Sequence, residues 1–524
     1  MPRVRDGHHA DGGGLPCDRV IHLGNGDVEA LLQLVFERAD DLTPVFERVG
    51  VLNADFEGEL GYGHVGMVII TVSVSRIVTR DGFFLANDGE FGCAGCALKC
   101  EMSPLKEAME PESTLMRRSF MKAATAAGFA AACGLAWGRT SHSGQSEGYR
   151  LVASTDRPRI LDAAASYVAQ APVTITDFPT KRSAGGLHDF YSQADYFWPN
   201  PKDPGGPYIN RDGQSNPDNF DEHRKAMVRL SIQMPALAAA WLLTGDRRFG
   251  MRACDHLRAW FVTPETRMNP NLQFAQAVQG VSTGRSYGII DTLHLVEVAR
   301  AAGFLLPELL GKQDSAAVQG WFGSYLDWLS TSDPGKTERD AKNNHAMCWA
   351  LQAAEYARLA CNDEARTDVY RRYREIMLPD QMAADGSFPK ELARTKPYSY
   401  SIFNFDVMAG LCQSLKGLTP DPPAFQLADG RGLAKAAEFL YPYLKDKGAW
   451  KWAKDVEHFD ALPVRSPGLL FSGIAFHEQK YIELWKTLNA DPTDKEIIRN
   501  YPIRQPLLWV LRESDGHKSR AARP

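Results

Sequence analysis

The sequence predicts an all-α fold of antiparallel helical hairpins, on three observations. Beyond residue 220, apolar residues recur at three- and four-residue steps in segment after segment, the spacing that gathers them on one face of a helix. Short turn signals such as "TGDRR" (244–248) and "CNDEA" (361–365) join neighbouring segments, so consecutive helices double back on one another. Few stretches alternate as strands do, and no repeat of fixed period runs through the chain. A consensus solenoid is therefore disfavoured, while an irregular toroid of hairpins stays open.

In chain order the helices are expected over 221–244, 246–262, 285–304, 314–330, 344–361, 364–378, 402–416, 430–446 and 475–489. Ahead of them, 183–220 is a long tract rich in Gly, Pro, Asn and aromatic residues. Loops of that length are commonly functional or disordered, and the density of tyrosine and tryptophan argues for order.

The 524 residues are 44% hydrophobic, enough for a sizeable core. A formal charge of −5 gives no broad basic surface, so no nucleic-acid partner is expected. The nine cysteines are too unevenly spaced for a disulfide scaffold. "CAGCALKC" (93–100) has close ligand spacing but lacks a fourth nearby ligand, and no metal or other cofactor is expected.

"MRRSFMKAATAAGFAAACGLAWG" (116–138) places paired arginines before a short apolar run and resembles a twin-arginine export signal. Ala123–Trp137 is too short to span a bilayer. Residues 116–140 are accordingly expected to be a signal peptide leading to the periplasm, with a lipid anchor at Cys133 of "AAAC" as a weaker variant. Residues 1–115 would then be an upstream extension of the reading frame without assigned function, although "MVIITVSVSRIV" (67–78) alternates like a strand. Residues 141–156 read as a polar linker and 157–515 as the folded body.

Two stretches carry chemistry. "KNNHAMCW" (342–349) puts Asn343, Asn344 and His345 at the start of a helix, where one asparagine serves as an N-cap and the exposed N–H groups attract an anion. "DGSFPKELARTKPYSYSIFNFDVM" (385–408) leads into a new helix near Ser401. Its Arg394 can grip a carboxylate with two hydrogen bonds, and Tyr398 and Tyr400 offer phenols nearby.

With "DYFWPNP" (195–201), "NPNLQFAQAVQG" (269–280) and "GRSYGIID" (284–291), these stretches resemble the alginate lyase superfamily of polysaccharide lyases over roughly residues 187–441. Family thirty-eight is the nearer likeness and family five the more distant. The resemblance implies an incomplete α/α toroid and cleavage of β-1,4-linked polyuronide, alginate or glucuronan, by β-elimination. It implies Tyr400 as base and acid, with Asn344, His345 and Arg394 neutralising the substrate carboxylate. Tyr196, Trp198, Lys202, Asn271, Gln273, Gln276, Arg285 and Tyr398 become candidates for binding the acidic polysaccharide.

Removing the C5 proton of a uronate adds negative charge beside a carboxylate, so preorganised donors and cations are what the reaction needs. A phenol is a weak base until a cation lowers its pKa, and Arg394 is the expected cation. Two other readings stand beside the lyase: a toroid hydrolase using Asp385 and Glu391 as opposed carboxylates, and a polyuronide-binding protein without turnover.

Overall fold

A computed structural model describes residues 51–62, 68–79, 84–85, 91–93, 96–98, 146–306 and 308–510. The chain divides into two compact units, Met1–Arg117 and Arg118–Pro524. In the first, Val51–Tyr62 pairs antiparallel with Val68–Thr79, so the alternating stretch is a strand from Val68 onward. A three-stranded antiparallel sheet follows over Phe84–Leu85, Phe91–Cys93 and Cys96–Leu98. The expected signal at 116–140, with Cys133, lies outside the described residues.

The second unit is an incomplete α/α toroid. Its inner ring follows chain order: Glu222–Thr244 packs on Leu295–Leu305, that helix on Asn344–Leu359, then Pro397–Ser414, then Pro467–Phe476. Between them the chain turns outward into Arg247–Leu257, Lys312–Thr331, Asp363–Arg372, Leu433–Lys445 and Gln479–Thr487. This alternation follows from the sequence, because the inner helices are apolar almost all round. Every residue of Pro397–Ser414 is buried, and fully burying a side chain such as Phe405 or Leu411 stabilises by roughly 1.5–3 kcal/mol. Glu222–Thr244 is long and apolar enough to cross a bilayer, yet it is mostly buried within the fold, as an inner helix must be.

Several expected boundaries move, each for a physical reason. The polar stretch 141–156 is not a linker throughout: a helix runs over Glu147–Tyr167, capped by Ser146 accepting the Tyr149 N–H at 3.1 Å. Its acid Asp156 is buried because Arg465 pairs with it at 2.6 Å. The segment expected over 475–489 is two helices, broken where His477 takes a left-handed φ of 57°. The helix expected at 402–416 begins at Pro397, since proline fits a first helical position, where no N–H is needed. Tyr398 and Tyr400 therefore stand on a helix, about 200° apart around its axis.

The long tract at 183–220 is ordered. Tyr191–Gln193 pairs in parallel with Phe274–Ala277, and Phe197–Trp198 pairs antiparallel with Ile209–Asn210. These pairings bring the tract over the same end of the inner helices as the start of Asn344–Leu359.

Candidate active site

One cavity of about 550 Å³ takes its walls from both motif stretches and from the long tract; Asn344, His345, Arg394 and Tyr400 all line it. Asn344 and His345 come from the first turn of Asn344–Leu359. That helix start is capped differently from the expectation. Asn343 makes no side-chain cap; instead Glu391 accepts the Asn344 backbone N–H at 2.7 Å and its side-chain Nδ2–H at 2.6 Å. The anion drawn to the exposed N–H is thus the protein's own carboxylate, and Asn344 keeps a second Nδ2–H. Burial raises the Glu391 pKa, and the bonds from Asn344 offset only part of that rise.

His345 gives its Nδ1 to Glu338 at 2.5 Å. A carboxylate can only accept, so Nδ1 carries the proton and the tautomer of the neutral ring is fixed. Glu338 is itself 1% exposed. Tyr287 meets the imidazole edge-on with ring centroids 5.0 Å apart.

On the other wall, Arg394 binds Asp212 at 2.8 Å, approaches the Tyr400 hydroxyl at 3.4 Å, and lies over the Tyr400 ring at 4.5 Å. Burial disfavours the guanidinium charge, but Asp212 outweighs it and its pKa rises. The Tyr400 hydroxyl is 3.1 Å from that of Tyr196, which also receives Arg499 at 3.2 Å. The expectation that Arg394 brings the phenol below its ordinary value is corrected. Burial raises Tyr400 by more than Arg394, the bond from Tyr196 and Arg499 lower it, so its pKa lies above 10. The resting phenol is protonated at neutral pH.

The remaining candidates divide. Tyr196, Gln276 and Arg285 line the cavity. Tyr398 does not: it is fully buried and donates to the Tyr443 carbonyl at 2.9 Å, because its helical position turns it from Tyr400 into the core. Trp198 is outside as well, its indole N–H bound to the Gln214 carbonyl at 3.0 Å, and Phe197 takes its place on the wall. Asn271 spends its Oδ1 on the Gln273 N–H at 3.1 Å; Gln273 and Lys202 are exposed and line no part of the cavity. The carboxylate pair of the hydrolase reading is absent from the site: Glu391 is committed to Asn344, and Asp385 closes a turn on Ser387 N–H at 2.9 Å.

Sequence reasoning missed Asp212, Glu338 and Arg499. Glu338 stands seven residues before His345 but on the separate short helix Asp333–Arg339, so helical spacing does not pair them. Arg499 lies far beyond the nearest motif, which ends at Met408, and left no local signal. His294 also lines the cavity, and burial holds its pKa well below the usual value. Among the described residues no cluster of His, Cys, Asp or Glu could hold a metal ion.

Residues 174–450, more than half of the chain, match the alginate lyase family model. The chain belongs to the alginate lyase family. The solved structure of an alginate lyase from Bacteroides ovatus is similar at 27% identity and a TM-score of 0.60, covering 68% of this chain and 93% of that one. Alginate lyase A1-III from Sphingomonas species A1 is similar at 15% identity and a TM-score of 0.41, covering 67% and 94%. No curated protein sequence matches. Membership of the alginate lyase family supports polysaccharide lyase activity. Two lining residues, Arg499 and Asn500, come from beyond the matched residues.

Proposed function

We propose that this member of the alginate lyase family cleaves a β-1,4-linked polyuronide, alginate rich in mannuronate or glucuronan, by β-elimination. The observation that carries the reading is that Asn344 and His345 share one cavity with Arg394 and Tyr400. An acidic sugar seated there meets amide and guanidinium donors, and His345 in its imidazolium form, on its carboxylate and a phenol at its ring.

The chemistry follows from the charges. As the C5–H bond breaks, its electron pair forms the C4=C5 double bond, the C4–O4 bond breaks, and O4 leaves with a proton. Negative charge gathers on the carboxylate in between, where the free Asn344 Nδ2–H, a guanidinium and the imidazolium form of His345 stabilise it. Tyr400 takes the C5 proton as a phenolate and returns one to O4, both on one face of the sugar. Mannuronate and glucuronate share that face. Guluronate is inverted at C5, and His345 is the candidate base for it.

Purified protein incubated with polymannuronate, polyguluronate and glucuronan should release unsaturated oligosaccharides seen by ultraviolet absorbance. Chain cleavage without that absorbance would mean hydrolysis; binding without cleavage of any uronan would mean a carrier. We further propose export, supported by Arg117-Arg118 ahead of the apolar run. Fusion of 116–140 to a reporter, with and without the paired arginines, tests it.

A further inference from the structure

Four guanidinium groups line the cavity, and three are already neutralised. Arg224 pairs with Asp195 at 2.5 Å and with Asp291 at 3.1 Å. Arg394 pairs with Asp212 at 2.8 Å, and Arg499 with Asp195 and, at 2.8 Å, Glu496. Arg285 forms no ion pair with any described residue. Its Nε and Nη2 donate to the main-chain and side-chain oxygens of Gln276 at 3.0 and 3.1 Å, both neutral acceptors. Its Nη1 has no hydrogen-bond partner among the described residues.

That arrangement is built, and it is costly without a ligand. The Arg285 guanidinium lies over the Phe197 ring at 4.7 Å and the Tyr287 ring at 5.3 Å, which strips water from it without supplying a counter-charge. Burial accordingly lowers its pKa. Gln276, which aims it, holds a left-handed φ of 48°, uncommon for a residue with a side chain. Three bonds fix Gln276 there: its N–H to Ser192 Oγ at 2.9 Å, its Nε2 to Asp291 at 3.3 Å, and its Oε1 from Arg285. Gly284, just before Arg285, lies so close to the Gln273 carbonyl that a Cβ would stand 2.0 Å from its oxygen. Tyr287, under the guanidinium, touches His345 on its other side, so Arg285 stands beside the imidazole and amide wall.

We infer that Arg285 is the counter-charge for the carboxylate of the uronate whose C5 proton is removed, and that Arg394, held by Asp212, serves the Tyr400 oxygen instead. This rests on the lyase reading. The two tasks need two cations, because a guanidinium already satisfied by a carboxylate has little left to offer a second one.

The test compares Arg285→Gln, Arg285→Lys and Arg394→Gln on a uronan and on its methyl ester, following unsaturated product. Arg285→Gln should lose about 100-fold or more in kcat/KM on the free acid, the scale of one lost donor at developing charge. On the ester, where proton removal builds one negative charge instead of adding a second to a carboxylate, its loss should be roughly tenfold smaller. Arg285→Lys should recover part of the loss on the acid, and Arg394→Gln should fall alike on both substrates. Equal losses for Arg285→Gln on acid and ester, or an acid-specific loss at Arg394, would overturn the assignment. Calorimetry with a saturated uronate trisaccharide and a neutral mannotriose reads the same point without turnover: Arg285→Gln should lose affinity for the acid alone, and unchanged affinity for the acid overturns the inference. A parent enzyme that yields no unsaturated product from any uronan overturns the lyase reading separately, whatever calorimetry returns.

Discussion

Glu391 grips Asn344 at two points across 47 residues of sequence, its two oxygens taking the backbone N–H and the side-chain N–H. One carboxylate thereby caps the inner helix Asn344–Leu359, fixes the amide that faces the cavity, and ties the two motif stretches together. Glu391→Gln replaces one acceptor by an NH₂ that points at a donor. The variant should lose about 1–3 kcal/mol of stability in denaturant titration, the cost of a buried unmatched donor, and roughly 10- to 100-fold in turnover through the misplaced amide. Turnover at the parent's level would show that Asn344 needs no such clamp.

Tyr400 makes the reaction alkaline-driven. Its pKa lies above 10 because burial outweighs Arg394, Tyr196 and Arg499, so the phenolate fraction grows as pH rises toward that value. Between pH 7 and 9, kcat/KM should climb about tenfold per unit wherever chemistry limits the rate. Arg394→Gln should push the alkaline limb higher still, and Tyr400→Phe should remove it while sparing oligosaccharide binding. A flat profile in the parent would rule the phenol out as base.

Tyr398→Phe separates the two neighbouring phenols. Its hydroxyl serves the Tyr443 carbonyl in the core, so the variant should lose about 0.5–1.5 kcal/mol of stability, the net value of one hydrogen bond. Its turnover should remain within about twofold of the parent, since no group of the cavity loses a partner. A steep fall in turnover at unchanged melting temperature would contradict this.

Acid should loosen the C-terminal segment. Burial opposes the Glu496 charge, but Arg499 and Lys396 outweigh it and bring its pKa from 4.5 to about 2. A depressed carboxyl contributes stability that is fully present above its unfolded value and is lost as pH falls through the folded one. The shift corresponds to on the order of 3 kcal/mol, lost between roughly pH 5 and pH 2. Melting temperature should fall across that window in the parent and change much less in Glu496→Gln, which begins lower at neutral pH.

Much of this was legible in the sequence because it is local. Inner helices announce themselves by apolar residues at helical spacing, and the hairpin turns between them by Gly, Asn and Asp. The motif residues Asn344, His345, Arg394 and Tyr400 stand out as chemistry-bearing types beside helix starts. Less local features were misread. Tyr398 and Tyr400 could not be told apart while the helix was expected to begin near Ser401; one turn of extra helix, started by Pro397, sends one phenol inward and the other to the cavity. Trp198, Lys202, Asn271 and Gln273 had the composition of a sugar-binding wall, but which face of a hairpin or turn they occupy depends on pairings made with distant strands.

Helical periodicity and turn residues, written within a few turns of chain, made the all-α class and its hairpins legible in the sequence alone, while the toroid and the roles of Asn344, His345, Arg394 and Tyr400 were what the resemblance to alginate lyases implied. Only the tertiary structure decided how charge is shared among them. Asp212, Glu338 and Arg499 reach the cavity from separate segments, and burial against those partners sets which guanidinium is satisfied, which is left open, and that the phenol rests protonated.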